Sequence, residues 1–128
     1  MAQEEKDLLL KDLCSRLPYG VKGLVTFNGN IFKDEDRTID GKLYDRFAEF
    51  QDSWYDNVTI KPYLFPMSSM TEEQKNAHDT LVFNINFIES GRKTVVRMLF
   101  EFYLKNHIDY NGLIDKGLAI DATGLNIY

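Results

Sequence analysis

Placed at 100° per residue, Leu9, Leu10, Leu13, Cys14 and Leu17 share one side of the N-terminal segment, while Glu5, Lys11, Asp12 and Arg16 fall opposite. That pattern predicts an amphipathic helix with Cys14 as a buried, inert thiol on its apolar face. Pro18 stops the helix, because the residue before a proline is steered away from helical geometry, and Gly20 supplies a turn. From Val21 the period changes to two: Val21, Gly23, Val25 and Phe27 alternate with Lys22, Leu24 and Thr26. Asn28-Gly29 suits the positive φ angles of a tight hairpin turn, so Asn30 to Lys33 is expected to return as a second strand.

Two patterns compete between Asp34 and Asn57. Asp40-Gly41 has the look of another hairpin turn, whereas Leu43, Phe47, Phe50 and Trp54 recur at helical spacing; the neighbouring hairpin tips the reading towards strands. Val58-Thr59-Ile60 is a β-branched run expected to end at Lys61-Pro62, since proline cannot donate to a ladder. Pro66 and Ser68-Ser69 mark a loop, and Thr71-Glu72-Glu73-Gln74 matches a capping box opening a short helix to about His78. From Thr80 to Ile88 the alternation of Leu81, Phe83, Ile85 and Phe87 with Asn84 and Asn86 favours a strand, although Ala77, Leu81, Ile85 and Ile88 also fit a helix.

Lys93 to His107 is the strongest helical pattern. Arg97, Glu101 and Lys105 form a single polar stripe, which predicts burial of Val95, Val96, Met98, Leu99, Phe100, Phe102, Tyr103 and Leu104. The expectation is one α+β domain over residues 1–128: an N-terminal helix, a mostly antiparallel sheet, and an apolar C-terminal helix packed on that sheet.

Composition adds exclusions. The 128 residues carry a formal net charge of -5, distributed as -1 over 1–20, -3 over 21–60, -2 over 61–90 and +1 over 91–128. No segment forms the basic stripe that phosphate neutralisation requires, so nucleic acid is not an expected partner, and neither is a membrane. Cys14 is the single cysteine, and the first residues are acidic where a secretory signal is basic; both suit a cytoplasmic setting.

The blocks Lys61-Pro-Tyr-Leu-Phe-Pro-Met-Ser-Ser-Met-Thr-Glu-Glu and His107-Ile-Asp-Tyr-Asn-Gly-Leu-Ile-Asp-Lys-Gly-Leu-Ala-Ile, with Leu10-Lys-Asp-Leu-Cys-Ser-Arg-Leu-Pro-Tyr-Gly-Val, resemble a family of small proteins from gut Bacteroidales and their phage-like elements. These blocks cover about a third of the chain. The family has no assigned activity, so the resemblance implies only a phage- or mobile-element-like setting, in which many small proteins act by binding others. Its members tend to carry arginine where this chain has Phe65 and Asn111, so an anion-binding role using those arginines does not carry over.

Candidate chemistry is sparse. Asp34, Asp36, Asp40 and Asp45 fail the calcium-loop pattern, which needs glycine sixth and glutamate twelfth where Ile39 and Asp45 stand. His78-Asp79 and His107 with Asp109 are the only histidine and carboxylate pairings and lie in no catalytic motif; a small hydrolase or transferase assembled from these residues is the alternative reading. No nucleotide cradle or zinc pattern occurs, and no cofactor is expected. Lys61 to Met67 carries two prolines and two aromatics in an expected loop, which makes Tyr63, Phe65 and Met67 candidate protein contacts, with either another protein or a second copy as partner. The sequence alone therefore favours a non-enzymatic protein-binding or accessory protein.

Overall fold

The computed structural model describes residues 2–28, 33–49, 57–87 and 91–128. The chain forms α1 (Gln3–Arg16), β1 (Lys22–Asn28), β2 (Lys33–Thr38), α2 (Gly41–Glu49), β3 (Asn57–Leu64), α3 (Glu72–Phe87), α4 (Arg92–Lys105) and β4 (Ile120–Asp121). The sheet order is β2-β1-β3-β4; β1 runs antiparallel to both neighbours, and β4 joins β3 in parallel. This is an α+β fold with a mostly antiparallel sheet and an N-terminal helix.

The alternation expected in β1 is present, with Val21, Gly23 and Val25 buried and Lys22, Leu24 and Thr26 partly open. The Asn28-Gly29 turn and most of its expected return strand lie outside the described residues; β2 instead runs through the charged segment to Thr38, pairing Lys22 with Thr38 and Phe27 with Lys33. β3 does not stop at Lys61 but passes through Pro62, which pairs with Gly23. Glycine is needed there, since a Cβ would come within 3.0 Å of the Lys61 carbonyl oxygen and 3.3 Å of Pro62 Cα.

Two segments expected as strands are helices. In α2, Asp40 is a cap rather than a hairpin turn: its Oδ1 accepts from the Leu43 backbone N–H at 2.8 Å. The helical spacing then places Leu43 and Phe47 in the core against β3; Phe50 and Trp54 lie outside the described residues. In α3 the capping box forms as expected, with Thr71 N–H donating to Gln74 Oε1 at 3.0 Å and Gln74 N–H to Thr71 Oγ1 at 3.1 Å. Once nucleated, the helix meets neither glycine nor proline before Phe87, and each further turn adds a hydrogen bond at little entropic cost. The β-type composition of 80–87 yields to that propagation.

The core gathers Leu9 and Leu13 of α1, Val25, Val58, Ile60 and Leu64 of the sheet, and Leu43 and Phe47 of α2, closed by Leu113, Leu118 and Ala119 from the C-terminal segment. The buried side of α1 is Leu9, Asp12, Leu13 and Arg16, and Cys14 is exposed, so the helix is rotated from the orientation its apolar pattern predicts. Arg16 Nε donates to Asp12 Oδ1 at 2.5 Å, Arg16 Nη2 to the Ile108 carbonyl at 2.7 Å, and Asn111 Nδ2 to Asp12 Oδ2 at 2.8 Å. A lone buried charge would be prohibitive. The pair is tolerated because each member neutralises the other and because Ile108 and Asn111 bond Arg16 Nη2 and Asp12 Oδ2, while the buried Arg16 Nη1 has no hydrogen-bond partner.

The expectation that the C-terminal apolar helix anchors the fold is corrected by burial. Among the residues assigned to its core, only Tyr103 is buried; Met98 is 49% and Phe100 44% exposed. Its main packing partner is α3, with a smaller contact on α1 and no comparably close packing on any strand. The core is already closed by α1, α2 and the C-terminal segment, leaving α4 as half of a helical hairpin beside it.

Candidate functional site

α3 and α4 run antiparallel. Gln74 Nε2 donates to Asn106 Oδ1 at 3.2 Å, and the His78 ring lies 6.2 Å from Phe102, so residues whose numbers add to about 180 stand level with one another. The hairpin joins the body at its base. There Tyr103 stacks on Tyr110 at 5.3 Å, Phe100 meets Tyr110 edge-on at 5.4 Å, and the Arg16 guanidinium sits 5.2 Å over the Tyr110 ring. Burial raises the pKa of the Tyr103 hydroxyl, which lies 2.8 Å from His78 Nε2.

Away from this junction the apolar surface is open. Lys93, Val96, Phe100 and Leu104 fall at i, i+3, i+7 and i+11, a single line along α4. Two hollows lie on that line. One, of about 420 Å³, separates α1 from α4 and is walled by Leu8, Lys11 and Ser15 on one side and Phe100 and Leu104 on the other, with Tyr110 at its end. The second, of about 610 Å³, lies at the hairpin tip against Gly91, Arg92, Lys93 and Val96. Together they form a groove with an apolar floor, rimmed by Lys11, Arg92 and Lys93. Phe83, on α3, is 59% exposed. A surface of this kind can bind apolar side chains of a protein; of the polar groups among its described lining residues, the Ser15 hydroxyl is bonded to the Lys11 carbonyl and Asp12 to Arg16 and Asn111.

The expected contact residues do not form one patch. Tyr63 is buried at the end of β3 and reaches across β1 to donate to Asp36 Oδ1, and burial followed by that bond pushes its hydroxyl up to about 12. Phe65 is half-buried; its N–H donates to the His107 carbonyl at 2.8 Å and its ring lies 5.9 Å from Tyr128. Met67 is 37% exposed, at the edge of a separate hollow shared with Asp109 and Asp121.

The histidines serve different structural tasks. His78 Nδ1 lies 3.3 Å from Asp79, whose carboxylate is 63% exposed, and neither lines any of the hollows described. His107 adopts φ 56° at the end of α4, its ring stacked on Tyr128 at 3.7 Å and 9°. Desolvation, followed by the nearby charges of Arg16 and Lys22, lowers its pKa to about 4. Asp109, the intended partner, is buried and spends both oxygens on the backbone N–H groups of Leu113 and Ile114, at 2.8 and 3.0 Å. Among the described residues no three metal-ligating side chains gather, and no helix is long and apolar enough to cross a membrane.

Sequence reasoning assigned Val96, Phe100 and Leu104 to the core. The available signal was quantity: α4 is apolar over most of its circumference. Comparison of the chain with protein-family models, curated proteins and solved structures finds no match.

Proposed function

We propose that this chain is a non-enzymatic binding protein that docks a protein partner in the groove along α4. The observation that carries this reading is the mismatch between α4's composition and its burial: a helix with eight apolar residues from Val95 to Leu104 buries only Tyr103. Large apolar surface left open on a folded chain marks an interaction face, because covering it removes area from water at roughly 25 cal/mol per Å². An exposed aromatic side chain at a hollow, as Phe100 is here, is also of the kind enriched at contact surfaces. The resemblance to small mobile-element proteins fits an accessory role of this type.

The alternative, a hydrolase or transferase using His78, His107 and Asp109, draws no support from the geometry. The two histidines occupy different settings, and the Asp109 oxygens are engaged by backbone.

The reading is tested by affinity capture from the native host with the wild-type chain and Val96→Asp as baits. A polypeptide retained by the first and lost by the second is the expected result. Equal retention by both baits, or none by either, would sink the proposal.

A further inference from the structure

The stretch that follows β4 is fastened to the body at its far end. There the Tyr128 hydroxyl accepts from the Lys22 N–H at 2.8 Å and donates to the Tyr63 carbonyl at 2.7 Å, one step beyond Gly23 and Pro62, the last paired residues of β1 and β3. The Tyr128 ring lies flat on His107 at 3.7 Å and 9°, with Phe65 at 5.9 Å, and Lys22 Nζ donates to the Ile127 carbonyl at 2.9 Å. Between β4 and these anchors the backbone is costly to hold. Gly124 has φ 77°, and Asn126, which carries a Cβ, has φ 57°. Leu125, between them, is exposed.

Beneath the Tyr128 ring, His107 Nδ1 is buried without a hydrogen-bond partner. The charges acting on it are the Arg16 guanidinium from α1, itself paired with Asp12, and the Lys22 ammonium from β1. Asp109, two residues along, commits both oxygens to the Leu113 and Ile114 N–H groups. The Tyr63 and Tyr128 hydroxyls, each pushed up to about 12, keep their protons throughout the acid range. An imidazolium here would lose hydration and be repelled by two cations. The face of Tyr128 would attract it, but that attraction is smaller than the lost hydration, and the ring stays neutral down to about 4.

We infer that residues 125–128 are a strap over His107, released by protonation of that ring while the core stays folded. Lifting Tyr128 opens the imidazole to water and frees the Lys22 ammonium from its tether on Ile127, so the open form takes a proton more readily than the closed one. The open form tends towards the ordinary 6.5, whereas the closed form titrates near 4. Closure is therefore fullest above 6.5 and weakens as pH falls towards 4. The core does not take part: Leu9, Leu13, Val25 and Leu64 are buried against one another and α2, and the Ala122 N–H donates to the Leu64 carbonyl at 2.8 Å ahead of the Gly124 bend. Release uncovers the Phe65 and His107 rings and frees the Lys22 N–H and Tyr63 carbonyl at the end of the β1–β3 pair.

Amide exchange of the full chain, expressed as protection relative to the unstructured rate at each pH, reads the strap at the Lys22 N–H. Its protection is expected to fall about tenfold between pH 7 and pH 5. The Ala122 N–H and the Ile39 N–H, which donates to the Val21 carbonyl at 2.9 Å, are expected to keep theirs. His107→Phe retains a ring for Tyr128 to lie on and cannot titrate, so its Lys22 protection should stay level across that range. Tyr128→Phe deletes the hydroxyl and should lower Lys22 protection already at pH 7, which shows that this amide reports the strap. Ile39 protection shows whether each variant is folded. The strap is overturned if wild-type Lys22 is unprotected at pH 7, keeps its protection at pH 5, or loses it in step with Ala122 and Ile39. An equal fall in His107→Phe, or no change in Tyr128→Phe, overturns it as well.

Discussion

The sheet with its two covering helices and the α3–α4 hairpin are built from similarly apolar segments and reach opposite ends of the burial scale. Leu9, Leu13, Val21, Val25 and Leu64 are fully buried, whereas among its described residues the hairpin buries Tyr103 alone and exposes much of Phe83, Met98 and Phe100. The difference follows from how each region finds neighbours. A strand in the centre of a sheet is contacted on both edges by backbone and on its apolar face by helices, so every inward residue is covered. A two-helix hairpin covers one side of each helix and leaves the rest to whatever else is present. Apolar composition therefore states that a segment needs covering, and does not state what covers it.

The comparison is broken most severely at the charge pair beneath α1. Asp12→Ala leaves Arg16 buried without its counter-ion and is expected to cost about 3–5 kcal/mol, read by chemical denaturation. Replacing both residues by apolar ones of similar volume should recover most of that loss. Next comes Leu13→Ala, which opens a cavity in the fully buried core and should cost about 2–5 kcal/mol, whereas Met98→Ala on the open hairpin should stay within about 0.5 kcal/mol. Equal effects at the two positions would show the hairpin to be as tightly covered as the body.

The junction between the regions is sharpened by pH. His107 titrates near 4 in the fold against an ordinary 6.5, so between those values the unfolded chain binds the additional proton. The contribution is complete above pH 6.5 and is lost as pH falls towards 4. Allowing for the part of the ring that solvent reaches, the loss is on the order of 2 kcal/mol. His107→Asn, whose side chain does not titrate, should flatten the stability profile in that window. The smallest effect concerns the start of the hairpin: Thr71→Ala removes one half of the capping box and should cost about 1 kcal/mol, seen as faster amide exchange in the first turn of α3.

Legibility divides along the same line. The strand alternation of β1 and the capping box were readable because each is written in adjacent residues. The rotation of α1 was not, since Asp12 and Arg16 look like solvent-facing charges until Ile108 and Asn111 arrive from the other end of the chain to bond them. Residues 80–87 carry strand-forming side chains and became helix because the nucleus at Thr71 extends through them. The expected site at Tyr63, Phe65 and Met67 dispersed when β3 continued past Pro62 and drew Tyr63 inside.

Local order, the α+β class and the surplus of apolar surface on α4 were set by the sequence itself, because hydrogen-bonding period and side-chain polarity act within a few residues. Which side of α1 turns inward, and that α4 remains partly open, were decided only in the assembled structure. Those outcomes depend on which surfaces, distant along the chain, reach the core first and leave no room for the rest.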